Sequence, residues 1–134
     1  MSWLLDVNML LASRWSSHAE HAKVKKWLDD LPEFYTTPIV ELGFMRVSLS
    51  PAYHANWKDA HRSLSTLLSR HTHRFLADDT SALDSTESNY KDTTDAHLVR
   101  LAKRHELKLA TLDSALIGKS WANRIAINPI APPK

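Results

Sequence analysis

The sequence predicts an α/β fold in which a mostly parallel β-sheet is flanked by helices on both faces. Along its 134 residues, short apolar runs alternate with longer segments whose apolar residues recur at helical spacing. The run over residues 3–8 leaves no exposed face, which is typical of strands covered on both sides in a parallel sheet. The first three residues of this run are apolar and lead into Asp6, and a later apolar run over residues 107–112 leads into Asp113. Because ligands bind at the carboxyl ends of parallel strands, these two acids are the first candidates for a functional site.

Prolines and apolar periodicity give the order of the elements. Pro32 and Pro51 each follow an amphipathic segment and end it. Thr37-Pro38 is typical of an N-cap followed by the first helical residue. After the first strand, the sequence predicts in order a helix over 8–13, a helix over 18–30, a strand over 34–37, a helix over 38–49, a helix over 54–70, a strand over 74–77, a loop with one helical turn near 82–83, a helix over 94–104, the strand over 107–112, a helix over 114–121, a strand over 125–128 and a tail over 130–133.

The composition predicts one soluble domain over residues 1–134. The chain is long enough to bury a core without disulfides or a structural metal. It contains no cysteine, which excludes disulfides and zinc sites built on thiolates. No apolar run approaches the roughly 20 residues that span a bilayer, and no basic leader precedes the first apolar run. We therefore expect a cytoplasmic protein with no membrane partner.

Glu41 is a third candidate because its neighbours at i+3 and i+4 are Phe44 and Met45, which places it on an apolar face. Arg46 lies five positions on, about 140° round the helix, so it is not a natural partner for Glu41. An unpaired acid that faces inward is costly unless a metal or a water-filled cleft compensates it. Glu41 is therefore predicted to belong to the site.

Asp95 is a fourth candidate because it shares a helix face with Leu98, Val99 and Ala102. Near a helix N-terminus the macrodipole also favours negative charge, so Asp95 has an alternative role as a simple helix-stabilising acid. Asp92, three residues earlier, precedes the helix and is predicted to cap it.

Other polar groups are predicted to be structural. His18 and His21 can share a helix face, but no third ligand is patterned near them, so a packing or polar contact is favoured over a metal role. Asp78-Asp79 is interpreted as a solvated turn.

The helix over 54–70 carries an apolar stripe that indicates core or a dimer face. The stripe is made by Trp57, Ala60, His61, Leu64, Leu67 and Leu68.

Four carboxylates without cysteine ligands form an oxygen site that suits Mg²⁺ or Mn²⁺ rather than zinc. Such ions clamp phosphate oxygens and activate water, so phosphodiester hydrolysis is the natural chemistry. The formal net charge is +2, and setting four site acids aside leaves +6 on the rest of the chain, enough to attract a polyanion. Ordinary solvated surface charge is the alternative explanation.

Four motifs follow one another along the chain. They are Leu5-Asp6-Val7-Asn8-Met9-Leu10-Leu11-Ala12, Thr36-Thr37-Pro38-Ile39-Val40-Glu41-Leu42-Gly43-Phe44-Met45-Arg46-Val47, Thr94-Asp95-Ala96-His97-Leu98-Val99-Arg100-Leu101-Ala102 and Ala110-Thr111-Leu112-Asp113. In this order they resemble the PIN-domain ribonucleases of the VapC toxin type. The resemblance extends over essentially the whole chain and implies a PIN-like fold. It also implies RNA cleavage with Mg²⁺ or Mn²⁺, a homodimer, and silencing by a cognate VapB-like antitoxin.

The resemblance assigns Asp6, Glu41, Asp95 and Asp113 as the metal-binding and catalytic acids. Asn8 and Thr111 would support them. His97 stands where an aromatic residue is frequent in the family, which leaves the substrate contacts open.

Arg46 is predicted to contact a substrate phosphate or the acidic site, the alternative being a solvent-exposed side chain. Two other functions stay open at this point. One is a housekeeping PIN nuclease in RNA processing or decay, and the other is a non-catalytic RNA-binding protein with a degenerate site.

Overall fold

The computed structural model describes residues 1–132 and has a five-stranded parallel β-sheet at its centre. The predicted tail over 130–133 therefore ends, at Pro133, outside the described residues. The strands are β1 (Trp3–Leu5), β2 (Phe34–Thr36), β3 (His73–Phe75), β4 (Lys108–Ala110) and β5 (Ala126–Ile127). The helices are α1 (Val7–Arg14), α2 (His21–Asp29), α3 (Pro38–Ser48), α4 (Trp57–Leu68), α5 (Thr93–Arg104) and α6 (Ser114–Ile117), with short 3₁₀ turns at Ala82–Asp84, Tyr90–Asp92 and Ser120–Ala122.

The strand order is β3-β2-β1-β4-β5, so the chain reverses its direction across the sheet between β1 and β4. Right-handed crossovers then place the helices before β3 on one face and those after it on the other. Consistently, α1 packs against α2 and α3, whereas α5 packs against β4. The parallel sheet with helices on both faces is the fold that the sequence predicts.

The two central strands are buried, as their apolar runs predict. Leu4 and Leu5 of β1 and Leu109 of β4 are fully shielded from solvent. In the register of the sheet, Leu4 lies opposite Leu109 on one side and Tyr35 on the other. The core thus surrounds the two strands whose carboxyl ends carry acids.

α3 approaches α1 closely at Gly43. A Cβ atom at that position would lie 2.6 Å from Cγ2 of Val7, well inside van der Waals contact. Glycine is therefore the residue that lets α3 pack against the first turn of α1. Since Val7 follows Asp6 directly, this contact also fixes the end of β1.

α4 begins later than predicted, at Trp57 rather than residue 54. His54 has a φ of 52°, in the left-handed region that a helix cannot continue, and Asn56 caps the helix by accepting a hydrogen bond of 2.8 Å from the Asp59 amide. The predicted stripe on α4 is also only partly buried. Trp57 is 59% exposed and stacks on the exposed His61, with ring centroids 5.2 Å apart, so neither ring belongs to the core.

Two helix starts and one helix end differ from the prediction. Thr37 occupies the N-cap position of α3, but its buried hydroxyl has no hydrogen-bond partner within residues 1–132. Asp92 precedes α5, yet its side chain makes no capping hydrogen bond in the described part of the chain and lies 3.6 Å from Lys119 Nζ instead. α6 ends at Ile117 because Gly118 closes it, and only a 3₁₀ turn follows.

Residues 77–92 form a long connection, called here the strap loop, that side chains of α5 hold in place. Asp78 Oδ1 lies 2.9 Å from His97 Nε2, and Asp79 Oδ1 lies 2.9 Å from His105 Nε2. Both acids are exposed, as predicted for a solvated turn, but they also make these contacts, which the prediction did not include. Among residues 1–132, no helix combines the length and apolarity needed to cross a bilayer.

Candidate active site

The carboxyl ends of β1 and β4 meet at the point where the chain reverses its direction across the sheet. Asp6 directly follows β1, and Thr111 directly follows β4. The Asp6 amide donates a hydrogen bond of 2.9 Å to the Ala110 carbonyl, which ties the two strand ends together. In open parallel sheets such a reversal point leaves a crevice in which ligands bind.

Asp6 is buried, with 5% of its surface exposed. Its Oδ1 caps α1 by accepting a hydrogen bond of 2.8 Å from the Val7 amide, and its Oδ2 accepts one of 2.8 Å from the Thr111 hydroxyl. Burial raises the pKa of the Asp6 carboxyl, while the two hydrogen bonds oppose that rise. Asp6 is thus a carboxylate held in a fixed orientation where negative charge is poorly solvated.

Thr111 links the groups around this carboxylate. Its hydroxyl donates to Asp6 and accepts hydrogen bonds from Asn8 Nδ2 at 3.2 Å and from the Asp113 amide at 3.1 Å. Asn8 Oδ1 in turn accepts from the Leu112 amide at 3.1 Å. These bonds join α1 to the segment after β4, so Asn8 and Thr111 fix the relative positions of Asp6 and Asp113.

Asp113 is exposed and caps the four-residue helix α6. Its Oδ1 accepts hydrogen bonds from the amides of Ala115 at 2.9 Å and Leu116 at 3.2 Å. Its other carboxylate oxygen leaves an acceptor at the same edge of the sheet as Asp6.

Asp95 lies in the first turn of α5 and is half-buried. Its pKa is raised to about 6, first by burial and then by the negative charges of Asp6, Asp113 and Asp92. Charges act this way only at short range, so Asp6, Asp95 and Asp113 share one electrostatic site. That site is short of positive charge.

Glu41 lies in the first turn of α3 and has a partner that its helical spacing does not reveal. Its Oε2 accepts a hydrogen bond of 2.8 Å from the buried Thr36 hydroxyl, which lies 2.7 Å from His73 Nε2. Burial lowers the pKa of His73, and the charge of Glu41 opposes that shift. Within residues 1–132 Glu41 thus has no ion-pair partner, as predicted, but its carboxylate accepts a hydrogen bond that the prediction did not include.

The charges of the acids interact, but their side chains do not form a complete set of metal ligands. Among residues 1–132, no three acidic or histidine side chains stand close enough together to hold a metal ion. Asp113 turns towards its helix cap and Glu41 towards Thr36. The donors are nevertheless all oxygens, and the raised pKa of Asp95 marks a site that a divalent cation would relieve, so the residues fit a hard ion.

The two histidines of the predicted pair make local backbone contacts. His18 Nδ1 accepts from the Glu20 amide at 3.0 Å, and His21 Nδ1 donates to the Ala12 carbonyl at 2.7 Å. These are the polar contacts that the sequence favours over a metal role. Arg46 is exposed near the C-terminal end of α3.

Thr36 and His73 are site-supporting residues that the sequence analysis does not identify. They are separated by 37 positions, and nothing in the pattern of either segment marks them as partners. The signal that was available is weak: Thr36 lies one residue before the end of the strand predicted over 34–37, at the same edge of the sheet as the acids.

Residues 3–120 of the sequence match the PIN domain. This chain belongs to the PIN-domain family. The matched region includes all four acids of the candidate site, from Asp6 to Asp113. The family resemblance stated from the four motifs is thus confirmed.

Curated relatives place this PIN domain in the VapC group. It is 40% identical to ribonuclease VapC38 of Mycobacterium tuberculosis over 121 residues, which cover 84% of this chain and 86% of the relative. It is 32% identical to ribonuclease VapC39 of the same organism over 144 aligned positions, which cover 95% of this chain and 99% of the relative.

Solved structures share the fold of this PIN domain. FitAB bound to a DNA fragment superposes with a TM-score of 0.66 at 19% identity and covers 98% of each chain. FitAcB of Neisseria gonorrhoeae gives 0.61 at 23% identity, over 95% of this chain and 97% of that one. VapBC2 of Rickettsia felis, bound to a DNA fragment from its promoter, gives 0.61 at 12% identity, over 95% and 98%.

Proposed function

We propose that this PIN domain is a metal-dependent endoribonuclease and the toxin of a VapBC-type toxin-antitoxin pair. The observation that carries the proposal is the electrostatic coupling of Asp6, Asp95 and Asp113 at the reversal point of the sheet. Such a cluster of oxygen ligands suits phosphodiester hydrolysis. Relatives named as VapC ribonucleases favour the toxin over a housekeeping nuclease and over a non-catalytic RNA-binding protein.

Asp6, Asp95, Asp113 and Glu41 would hold Mg²⁺ or Mn²⁺. When bound, a divalent ion supplies charge neutralisation at the phosphate and activation of water for attack on phosphorus. Asp6 is already oriented by two hydrogen bonds. Glu41 would give up its hydrogen bond from Thr36 in a ligand role, whereas Asp113 caps α6 with one carboxylate oxygen and could bind an ion with the other.

Thr111 and Asn8 act as positioning residues in this proposal. Thr111 holds the Asp6 carboxylate by a hydrogen bond of 2.8 Å, and Asn8 holds Thr111. Arg46, an exposed cation on α3, is proposed to contact a substrate phosphate outside the acidic cluster.

The proposed partners are RNA, a VapB-like antitoxin and a second copy of the chain. Support for the antitoxin comes from VapBC2 of Rickettsia felis and FitAB, which were both solved bound to DNA. We further propose that residues 1–134 act as one nuclease domain.

Cleavage of RNA by the purified protein tests the catalytic part of the proposal. With Mg²⁺ or Mn²⁺ we expect products that end in a 5′-phosphate and a 3′-hydroxyl, because water rather than the ribose 2′-hydroxyl attacks phosphorus. EDTA should abolish the reaction. Cleavage that survives EDTA and leaves a 2′,3′-cyclic phosphate would show that the mechanism is wrong.

Expression in cells tests the toxin part separately. We expect growth arrest that a co-expressed antitoxin relieves, and no arrest from the Asp95→Asn variant. Harmless expression of a protein that is an active nuclease in vitro would instead support the housekeeping function. Sequencing of RNA 5′ ends from the arrested cells would identify the RNA that is cut.

A further inference from the structure

A cavity of about 480 Å³ lies between the first turns of α3 and α5. In a parallel α/β sheet the helices run opposite to the strands, so both helices begin at the carboxyl edge that carries the acids. The volume falls within the roughly 300–1,000 Å³ that is usual for small-molecule sites. The residues used below, which line this α5 cavity, are Ile39, Ala82, Ser85, Thr94, His97 and Arg100.

The α5 cavity adjoins the candidate active site through two helices. Ile39 lies two residues before Glu41 on α3, and Thr94 directly precedes Asp95 on α5. Of the acids, Asp95 is the one next to a cavity residue in the chain, so an RNA strand whose phosphate reached Asp95 would pass Thr94 at one end of the cavity.

The charges around the α5 cavity are compensated within the protein. Arg100 donates hydrogen bonds to Glu87 Oε2 at 2.8 Å and to Ser85 Oγ at 3.2 Å, and Glu87 is almost completely buried. The guanidinium holds the pKa of Glu87 down at about 2. His97 is likewise paired with Asp78 at 2.9 Å. Among the described residues that line it, the cavity thus offers no unpaired arginine to a phosphate.

Walls that combine apolar groups with hydroxyls suit a flat polar ring better than a phosphate. Ile39 and Ala82 offer apolar surface, and the largely buried His97 imidazole contributes a small part of its ring. Ser85 and Thr94 add hydroxyl groups that both donate and accept hydrogen bonds. Nucleobases bind proteins by this combination of stacking and edge hydrogen bonds.

We propose that the α5 cavity receives a nucleobase of single-stranded RNA next to the scissile phosphate and sets the base preference of cleavage. The proposal rests on the ribonuclease function proposed above. It assigns a role to the strap loop, whose Ala82 and Ser85 form one wall of the cavity and whose ion pairs with α5 keep that wall in place.

Filling the cavity with a large side chain tests the proposal. Ala82 is exposed on a 3₁₀ turn, so Ala82→Trp adds volume to the cavity without disturbing the core. The matched control is Leu83→Trp on the same turn, because Leu83 is 94% exposed and does not line the cavity. Melting temperatures of both variants verify that they fold.

Two readouts separate the proposal from the nuclease function on which it rests. The first is the base composition around the cut sites in a randomised single-stranded RNA with Mg²⁺ or Mn²⁺. The second is the binding of four fluorescent tetraribonucleotides, one for each base, in EDTA. The wild type and Leu83→Trp should prefer one base at one flanking position and bind its tetranucleotide about 10-fold more tightly than the others, and Ala82→Trp should lose both preferences.

Each other outcome has a definite meaning. An unchanged base preference in Ala82→Trp overturns the proposal while leaving the nuclease function intact. An equal loss of affinity for all four tetranucleotides, with a weaker salt dependence, also overturns it, because the cavity then holds a phosphate. If no protein cleaves RNA, the nuclease function fails, and a base preference in EDTA that Ala82→Trp removes still supports a nucleobase site.

Discussion

Replacing Asp95 by asparagine should stabilise the protein when metal is absent. The pKa of Asp95 rises from 3.8 to about 6 on folding, because burial and the charges of Asp6, Asp113 and Asp92 oppose its ionisation. The folded state therefore binds the proton more tightly than the unfolded chain does. The contribution of Asp95 to the free energy of unfolding is fully present below about pH 4 and is lost as the pH rises through about 6.

The size of the effect follows from the shift. About two pKa units at about 1.4 kcal/mol each give an upper bound of about 3 kcal/mol. Asp95 is only half-buried, so solvent screening reduces the difference in unfolding free energy to about 1–2 kcal/mol.

Urea unfolding in EDTA, followed by tryptophan fluorescence, measures this difference. Asp95→Asn cannot ionise, so it should exceed the wild type by about 1–2 kcal/mol near pH 8 and equal it near pH 4. Mg²⁺ should reverse the order at high pH, because only the wild type gains substantial binding free energy. Asp92→Asn is the control, and should change stability by about 0.5 kcal/mol or less, since its side chain makes an ion pair of 3.6 Å with Lys119 rather than a helix cap.

A less stable Asp95→Asn near pH 8 in EDTA would refute this reasoning. The carboxylate would then stabilise the fold, as an acid does at a helix N-terminus. If Mg²⁺ raised the unfolding free energy of the wild type and of Asp95→Asn equally, Asp95 would not be a ligand of the ion.

Three further substitutions, the first with a matched control, test the packing, the polar contacts and the substrate contacts of the site. Gly43→Ala should lower the unfolding free energy by about 1–2 kcal/mol, because its Cβ would lie 2.6 Å from a methyl group of Val7. The control is Gly118→Ala, whose Cβ would lie 3.5 Å from its nearest atom and which should be neutral or stabilising in thermal melts. Thr111→Val keeps the shape of the side chain but removes its hydrogen bond to Asp6. We expect the unfolding free energy to fall by about 1–3 kcal/mol and the cleavage rate to fall at least roughly 10-fold. An unchanged rate would exclude a positioning role for Thr111. Arg46→Ala should weaken RNA cleavage and reduce its salt dependence at an unchanged melting temperature, whereas a large fall in that temperature would make Arg46 a structural residue.

The sequence predicts the acids at strand ends better than it predicts their partners. Asp6 and Asp113 are identifiable because each follows a buried apolar run, and parallel strands bring such ends to one edge. The bond from Thr36 to Glu41 is different in kind. Helical spacing specifies which face of a helix a side chain shares. Which hydroxyl donates to the Glu41 carboxylate depends on side-chain rotamers at a junction between a strand and a helix.

The strap loop shows a second limit of the sequence. Its acids lie in a polar segment without periodicity, which predicts a solvated loop. The path of the loop is set by pairs with α5 that are 19 residues apart for Asp78 and His97 and 26 for Asp79 and His105. Contacts between such distant positions leave no local pattern in the chain.

The place of β4 in the middle of the sheet has a consequence for the synthesis of the protein. β1 emerges from the ribosome first, but its neighbour β4 and the Thr111 hydroxyl that holds Asp6 follow 105 residues later. Until then the nascent chain lacks the pairing of β1 with β4 and the acid that follows β4. The site that joins Asp6, Thr111 and Asp113 therefore forms only after β4 and the residues behind it have been synthesised.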